Sequence, residues 1–109
     1  SEENVAAAMD IARLVQDSMH QIESSMGVNL ASDSLGYNRL ASHVRYMIAR
    51  ARKGERASLD MQDYARTSFP KPYEVAKMVC RYMEKRLGIP LAPEETGFLA
   101  IHIQRVMQQ

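Results

Sequence analysis

The sequence predicts an all-α protein, a compact bundle of four to five helices. Three observations carry this expectation. Apolar residues recur at helical spacing along four segments, and no segment alternates like a strand. Glycine and proline stand at the borders of those segments, where helices stop and start. The composition, 46% hydrophobic and 25% charged over 109 residues, suits one soluble domain able to bury a modest core.

The first helix is expected from about Asn4 to Met26. Its residues Ala8, Ile11, Ala12, Val15, Met19, Ile22 and Met26 fall on one apolar stripe, His20 lies on the polar face, and Gly27 ends it. The Ser32-Asp33-Ser34 cluster offers capping oxygens for a second helix reaching Lys53, whose buried stripe is Leu40, Val44, Met47, Ile48 and Ala51. Gly54 closes it. Asp60 to Arg66 reads as a short helical piece, capped by Ser58 or Asp60, with Leu59, Met61 and Tyr64 available for packing. The Phe69-Pro70-Lys71-Pro72 run is incompatible with a helix interior, although Pro72 fits the first turn of the next helix. That helix, to Leu87, is apolar over most of its circumference: Val75, Ala76, Met78, Val79, Cys80, Tyr82, Met83 and Leu87. Such a helix is expected at the centre, surrounded by neighbours. Gly88 stops it. Pro93 and the acids Glu94 and Glu95 then open the last helix, where the dipole favours negative charge.

A formal net charge of +1 gives no bulk attraction to nucleic acid or to a membrane surface. The lone Cys80 has no internal disulfide partner and points to a reducing compartment. No apolar run approaches a membrane span and no charged-then-apolar leader opens the chain, so a cytoplasmic location is expected. Eight methionines and no tryptophan suggest a core of adaptable aliphatic packing rather than large aromatic anchors.

Two histidines stand out. His102 falls on the apolar side of the last helix, between Phe98, Leu99 and Val106, with Glu95 on the same side. A histidine so placed is either a core residue with a satisfied hydrogen bond or a functional group in a half-buried site. His43 borders its helix's apolar stripe on an edge formed with Arg39, Tyr46 and Arg50 at i, i+4, i+7 and i+11. An imidazole nucleophile with guanidinium groups within a turn or two suits a phosphoryl group, although arginines on a solvated edge are also ordinary.

The stretch Arg39-Leu40-Ala41-Ser42-His43-Val44-Arg45-Tyr46-Met47-Ile48-Ala49-Arg50 resembles the first histidine motif of PTS regulation domains (PRDs). Pro93-Glu94-Glu95-Thr96-Gly97-Phe98-Leu99-Ala100-Ile101-His102-Ile103 resembles their second, and is the more specific. The resemblance covers residues 1–109 and implies a single PTS regulation domain, a five-helix bundle found in bacterial antiterminators and activators of sugar operons. It also implies that His43 and His102 are phosphorylated reversibly by the phosphocarrier HPr or a sugar-specific EIIB protein. Arg39, Arg50 and Arg105 are the expected charge contacts of the phosphoryl groups. A homodimer is implied, with no cofactor, no enzymatic turnover and no direct nucleic-acid binding by the domain itself. Ser42 stands where many first-copy domains carry an acid, so the donor and the sign of control stay open. His20 matches neither motif.

Other readings compete. Carboxylates such as Asp10, Glu23, Asp60, Asp63 and Glu74 show no spacing that marks an acid/base pair. His20, His43, His102 and Cys80 lack metal-ligand spacing. Arg39, Arg45, Arg50, Arg52, Lys53 and Arg56 make the second helix basic, which leaves a nucleic-acid or protein-interaction module as the alternative.

Overall fold

A computed structural model describes residues 1–57 and 59–108. Among them are five helices and no strand: α1 (Glu2–Met26), α2 (Leu35–Lys53), α3 (Gln62–Ser68), α4 (Pro70–Leu87) and α5 (Glu94–Met107). α5 packs against α2, α3 and α4, while α1 packs against α2 and α4. The core runs through Met19, Ile22, Leu40, Val44, Met47, Ile48, Val79, Met83, Leu99 and Ile103, all at most 1% exposed. Each such side chain contributes about 1.5–3 kcal/mol by leaving water.

α2 follows the expected stripe, with Ala51 only half-buried and Gly36 and Ala41 added to the buried side. Ser34 Oγ caps it by accepting from the Tyr37 N–H at 3.1 Å. α1 departs from expectation at its start. Ala8 and Ala12 are exposed, as is every residue from Ser1 to Asp10, and burial begins in earnest with Leu14, Val15, Ser18 and Met19. The helical spacing continues through residues 2–10, but the bundle offers that segment no partner.

α4 also differs. It begins at Pro70 rather than Pro72, because prolines at the first and third positions lack N–H groups that the first turn leaves unpaired anyway. Phe69, pushed out of helical conformation by the following proline (φ −134°, ψ 65°), separates α3 from α4. Nor is α4 wrapped on all sides: Met78 is exposed and Tyr82 and Leu87 are half-buried, since one face of α4 looks outward. Around the short α3, Leu59 and Tyr64 are exposed, and Ala65 supplies the buried contact. The N-cap of α3 is Met61, which makes no side-chain cap bond; Asp60, one residue earlier, accepts the Gln62 N–H on its Oδ1 at 2.9 Å, while Ser58 lies outside the described residues.

Two carboxylates fix the connections that aim α2 and α5. Glu23 Oε2 accepts from the Leu30 N–H and Glu84 Oε2 from the Leu91 N–H, each at 2.8 Å. α3 reaches α5 over Gly97. A Cβ there would lie 2.9 Å from Gln62 N and from Met61 C, so only glycine lets the two backbones approach this closely.

Candidate functional site

α2 and α5 pack side by side, and the margins of their buried stripes meet. On α2 that margin is His43, next to buried Val44; on α5 it is His102, next to buried Ile103. Their imidazoles stack, with centroids 3.8 Å apart and planes inclined by 22°. Both rings are half-buried. The Nε2 atom of His43 is buried and has no hydrogen-bond partner.

The stack forms the floor of a cleft of about 430 Å³. Asn38, Arg39, Ser42 and Tyr46 line it from α2, and Arg105 and Val106 from α5. A second hollow also reaches His43, walled by Arg50, Arg56, Ala57 and Phe98. His43 thus lines both hollows, whereas His102 lines the first.

Charge is arranged asymmetrically about the pair. Arg50 holds Glu95 with two hydrogen bonds, Nε to Oε2 at 2.9 Å and Nη2 to Oε1 at 2.8 Å. The Glu95 side chain is 1% exposed against 25% for Arg50, making this the one deeply buried carboxylate among the described residues. Arg56 pairs in the same bidentate manner with Glu94. Arg39 and Arg105 have no ion-pair partner among the described residues. The first hollow thus offers free guanidinium groups, and the second offers groups already engaged.

This environment disfavours the charged imidazolium. Burial lowers the His43 pKa to about 3, assisted by the facing His102 and by Arg50. Burial likewise lowers that of His102, followed by the positive charges of Arg105 and Arg50. Both rings are neutral at neutral pH and able to act as nucleophiles. The unfolded chain takes up protons near pH 6.5 and the folded chain does not, so stability is full above that value and falls as pH drops toward 3. For His43 the expected loss between pH 7 and pH 5 is about 1–2 kcal/mol, with His102 acting in the same direction. Urea denaturation at the two pH values measures it. Unchanged stability, or an undiminished slope in His43→Phe, would contradict this account.

The sequence-predicted residues converge unevenly. His43, His102, Arg39 and Arg105 share the first cleft. Arg50 is adjacent but already engaged, which the sequence reading missed together with the stacking of the rings. Glu95 does lie on the His102 side as expected, but as the anchor of Arg50 rather than an acid placed for the dipole alone. His20 is exposed beside Asp17 and Tyr82, in a hollow between α1 and α4. Cys80 is buried, and burial pushes its thiol up to about 12, too high for a reactive thiolate. Among the described residues no three His, Cys, Asp or Glu side chains converge to hold a metal ion, and no helix is long and apolar enough to cross a membrane.

Comparisons with known proteins point the same way. The family model described as the PRD domain matches residues 16–106. Protein GlcT of Staphylococcus haemolyticus is 27% identical over 101 residues, covering 91% of this chain and 36% of that protein. The transcription antiterminator LicT of Bacillus subtilis is 23% identical over 110 residues, covering 98% of this chain and 40% of that protein. The chain thus spans little more than a third of the length of these relatives. The crystal structure of GlcT CAT-PRDI superposes with a TM-score of 0.79 over 92% of this chain and 58% of that one, at 21% identity, and so shares the fold. With the family model matching residues 16–106 of this five-helix bundle, the chain belongs to the PRD domain family.

Proposed function

We propose that residues 1–109 act as one phosphorylation-responsive regulatory unit, in which His43 and His102 accept phosphoryl groups from a donor protein of the sugar phosphotransferase system. The observation that carries this reading is the pair of neutral, stacked imidazoles on the floor of a cleft whose free cations are Arg39 and Arg105. A neutral ring nitrogen attacks the donor's phosphorus with its lone pair. The donor's N–P or S–P bond breaks, and its electron pair stays on the donor atom. Arg39 and Arg105 neutralise the added charge of about −2, and the exposed Tyr46 and Leu35 border the α2 surface where a donor or a second copy of the chain makes contact.

The reading extends to the whole protein. We infer a cytoplasmic regulator of a sugar operon, non-enzymatic in this region, in which the modified domain alters dimer contacts and thereby an attached output domain. The donor is HPr or a sugar-specific EIIB. Incubation with enzyme I, HPr and phosphoenolpyruvate, and in parallel with phosphorylated EIIB, is expected to raise the intact mass by a phosphoryl group. The His43→Ala/His102→Ala double variant is expected to show no gain. An unmodified wild-type chain with both donors would overturn the proposal.

The outward face of α2 supports a second reading. Arg39, Arg45, Tyr46, Arg52 and Lys53 are exposed there and no acid lies on the helix, which suits a polyanionic partner. Gel shifts that weaken steeply with salt would favour it.

A further inference from the structure

We propose that α1 and α4 carry a contact between two copies of the chain: the first turns of α1 in one copy lie along the outward face of α4 in the other, twice over, around a two-fold axis. Neither surface includes a residue of the cleft that holds the histidines, and the contact does not rest on the phosphoacceptor reading.

The first surface is the free end of α1. Every residue from Ser1 to Asp10 is exposed, including Val5 at 59% and Met9 at 64%. These two stand at i and i+4, and the exposed Ala12 continues them at i+7, so they form one apolar stripe. Glu2, Glu3 and Asp10 accompany the stripe and have no ion-pair partner among the described residues.

The second surface is the outward face of α4. Lys71, Glu74, Met78, Arg81 and Lys85 follow one another at helical spacing, and all are exposed. Glu74 pairs with Lys77. Lys71, Arg81 and Lys85 have no carboxylate partner among the described residues, and they surround a Met78 that is 39% exposed. One surface is apolar and edged by free acids, the other apolar and edged by free cations. Such complementarity guides association and fixes register.

One chain cannot bring these surfaces together. Its α1 and α4 run antiparallel: Asp17 meets Arg86 at 2.8 Å, while Gln21 and Ser24 share a hollow with Met78. Met9 precedes Gln21 by twelve residues of the same helix, which puts it about 18 Å from the level of Met78. A second copy removes that separation. A two-fold axis perpendicular to the helices reverses α1, so α1 of one copy runs parallel to α4 of the other. In that direction, Met9 placed over Met78 brings Glu2 level with Lys71, because each precedes its methionine by seven residues. Asp10 then lies toward Arg81 and Lys85. The apolar and the charged groups thus match in a single register. Flexible methionine side chains adapt readily to such a contact. Exposed ion pairs contribute little one by one, so the contact is reversible and weakens with salt.

The test is cross-linking between two differently sized versions of the whole chain, one carrying Met9→Cys and the other Met78→Cys. Both positions are exposed, so both variants keep the core intact, and the native Cys80 is buried. Oxidation, or a short bismaleimide, is expected to give a mixed dimer joined through the two new cysteines, in excess over dimers of either variant with itself. Lys71→Glu, Arg81→Glu and Lys85→Glu together in the Met78→Cys chain are expected to lower the yield about tenfold. Glu2→Lys, Glu3→Lys and Asp10→Lys in the Met9→Cys chain are expected to restore it. A chain bearing both cysteines is expected to stop at a doubly bridged dimer.

A chain that stays monomeric, or whose copies join only through α2 around Tyr46, yields no mixed product and would overturn the proposal. So would a yield indifferent to charge reversal. A ladder of longer products from the doubly substituted chain would overturn the two-fold arrangement. None of these outcomes bears on whether His43 or His102 accepts a phosphoryl group.

Discussion

Replacing Arg50 with methionine is expected to cost about 3–5 kcal/mol of stability at neutral pH. Methionine keeps much of the length and packing of the side chain but removes both hydrogen bonds to Glu95. The Glu95 side chain is 1% exposed and is paired with Arg50. Once unpaired, it has lost its hydration and received nothing in return. For a domain whose whole stability is about 5–15 kcal/mol, this removes about a fifth at the least.

The companion variant Glu95→Gln is expected to be milder, about 1–2 kcal/mol, for a physical reason. Glutamine leaves no buried charge, and the Arg50 guanidinium, a quarter exposed, reaches water. Urea denaturation of the two variants measures the asymmetry. Equal costs would mean that the ion pair is not the buried structural contact described above. A second readout accompanies the first: with Arg50 gone, one of the positive charges that hold both histidines neutral is lost, so His43 and His102 are expected to titrate higher by NMR.

The second large effect is at Gly97. In an exposed helix, Gly→Ala stabilises by roughly 1 kcal/mol because alanine loses less backbone entropy. Here the sign is expected to reverse. The new methyl would sit 2.9 Å from two backbone atoms of the α3 entry, Gln62 N and Met61 C, and 3.0 Å from Gln62 Cα. Backbone cannot rotate aside as the tip of a flexible side chain does, so α3 must shift away from α5. Overpacking of this kind costs about 1–3 kcal/mol net, a lowering of Tm by roughly 5–15 °C in a domain this size. Thermal unfolding of Gly97→Ala decides the sign: a Tm at or above wild type would show that α3 yields freely.

The two predictions also locate the functional site mechanically. Arg50–Glu95 ties α2 to α5, and Gly97 sets how closely α3, with Arg56 and the second hollow before it, approaches α5. The register in which His43 meets His102 depends on both.

How far the site was legible follows from the distance over which each feature is determined. Helix limits come from local chemistry, and Ser34, Gly54, Gly88 and the prolines 70 and 72 act within a turn of where they stand. The stripes of α2 and α5 are periodic in the chain, so the margins that carry His43 and His102 were visible as well. The resemblance to PTS regulation domains marked the same two positions through motifs that are contiguous in sequence.

Other features were decided only in three dimensions. That the rings stack, that Glu95 anchors Arg50 and that Gly97 admits the backbone of α3 are contacts between residues 35 to 59 positions apart. Residues 2–10 show the complementary failure. Their helical spacing suggests a buried stripe, yet they are exposed because burial requires a partner surface and the bundle ends short of them. Sequence periodicity determines which side of a helix is able to be buried. What lies opposite, whether core, solvent or a second imidazole, is settled by the close packing of segments that are distant along the chain.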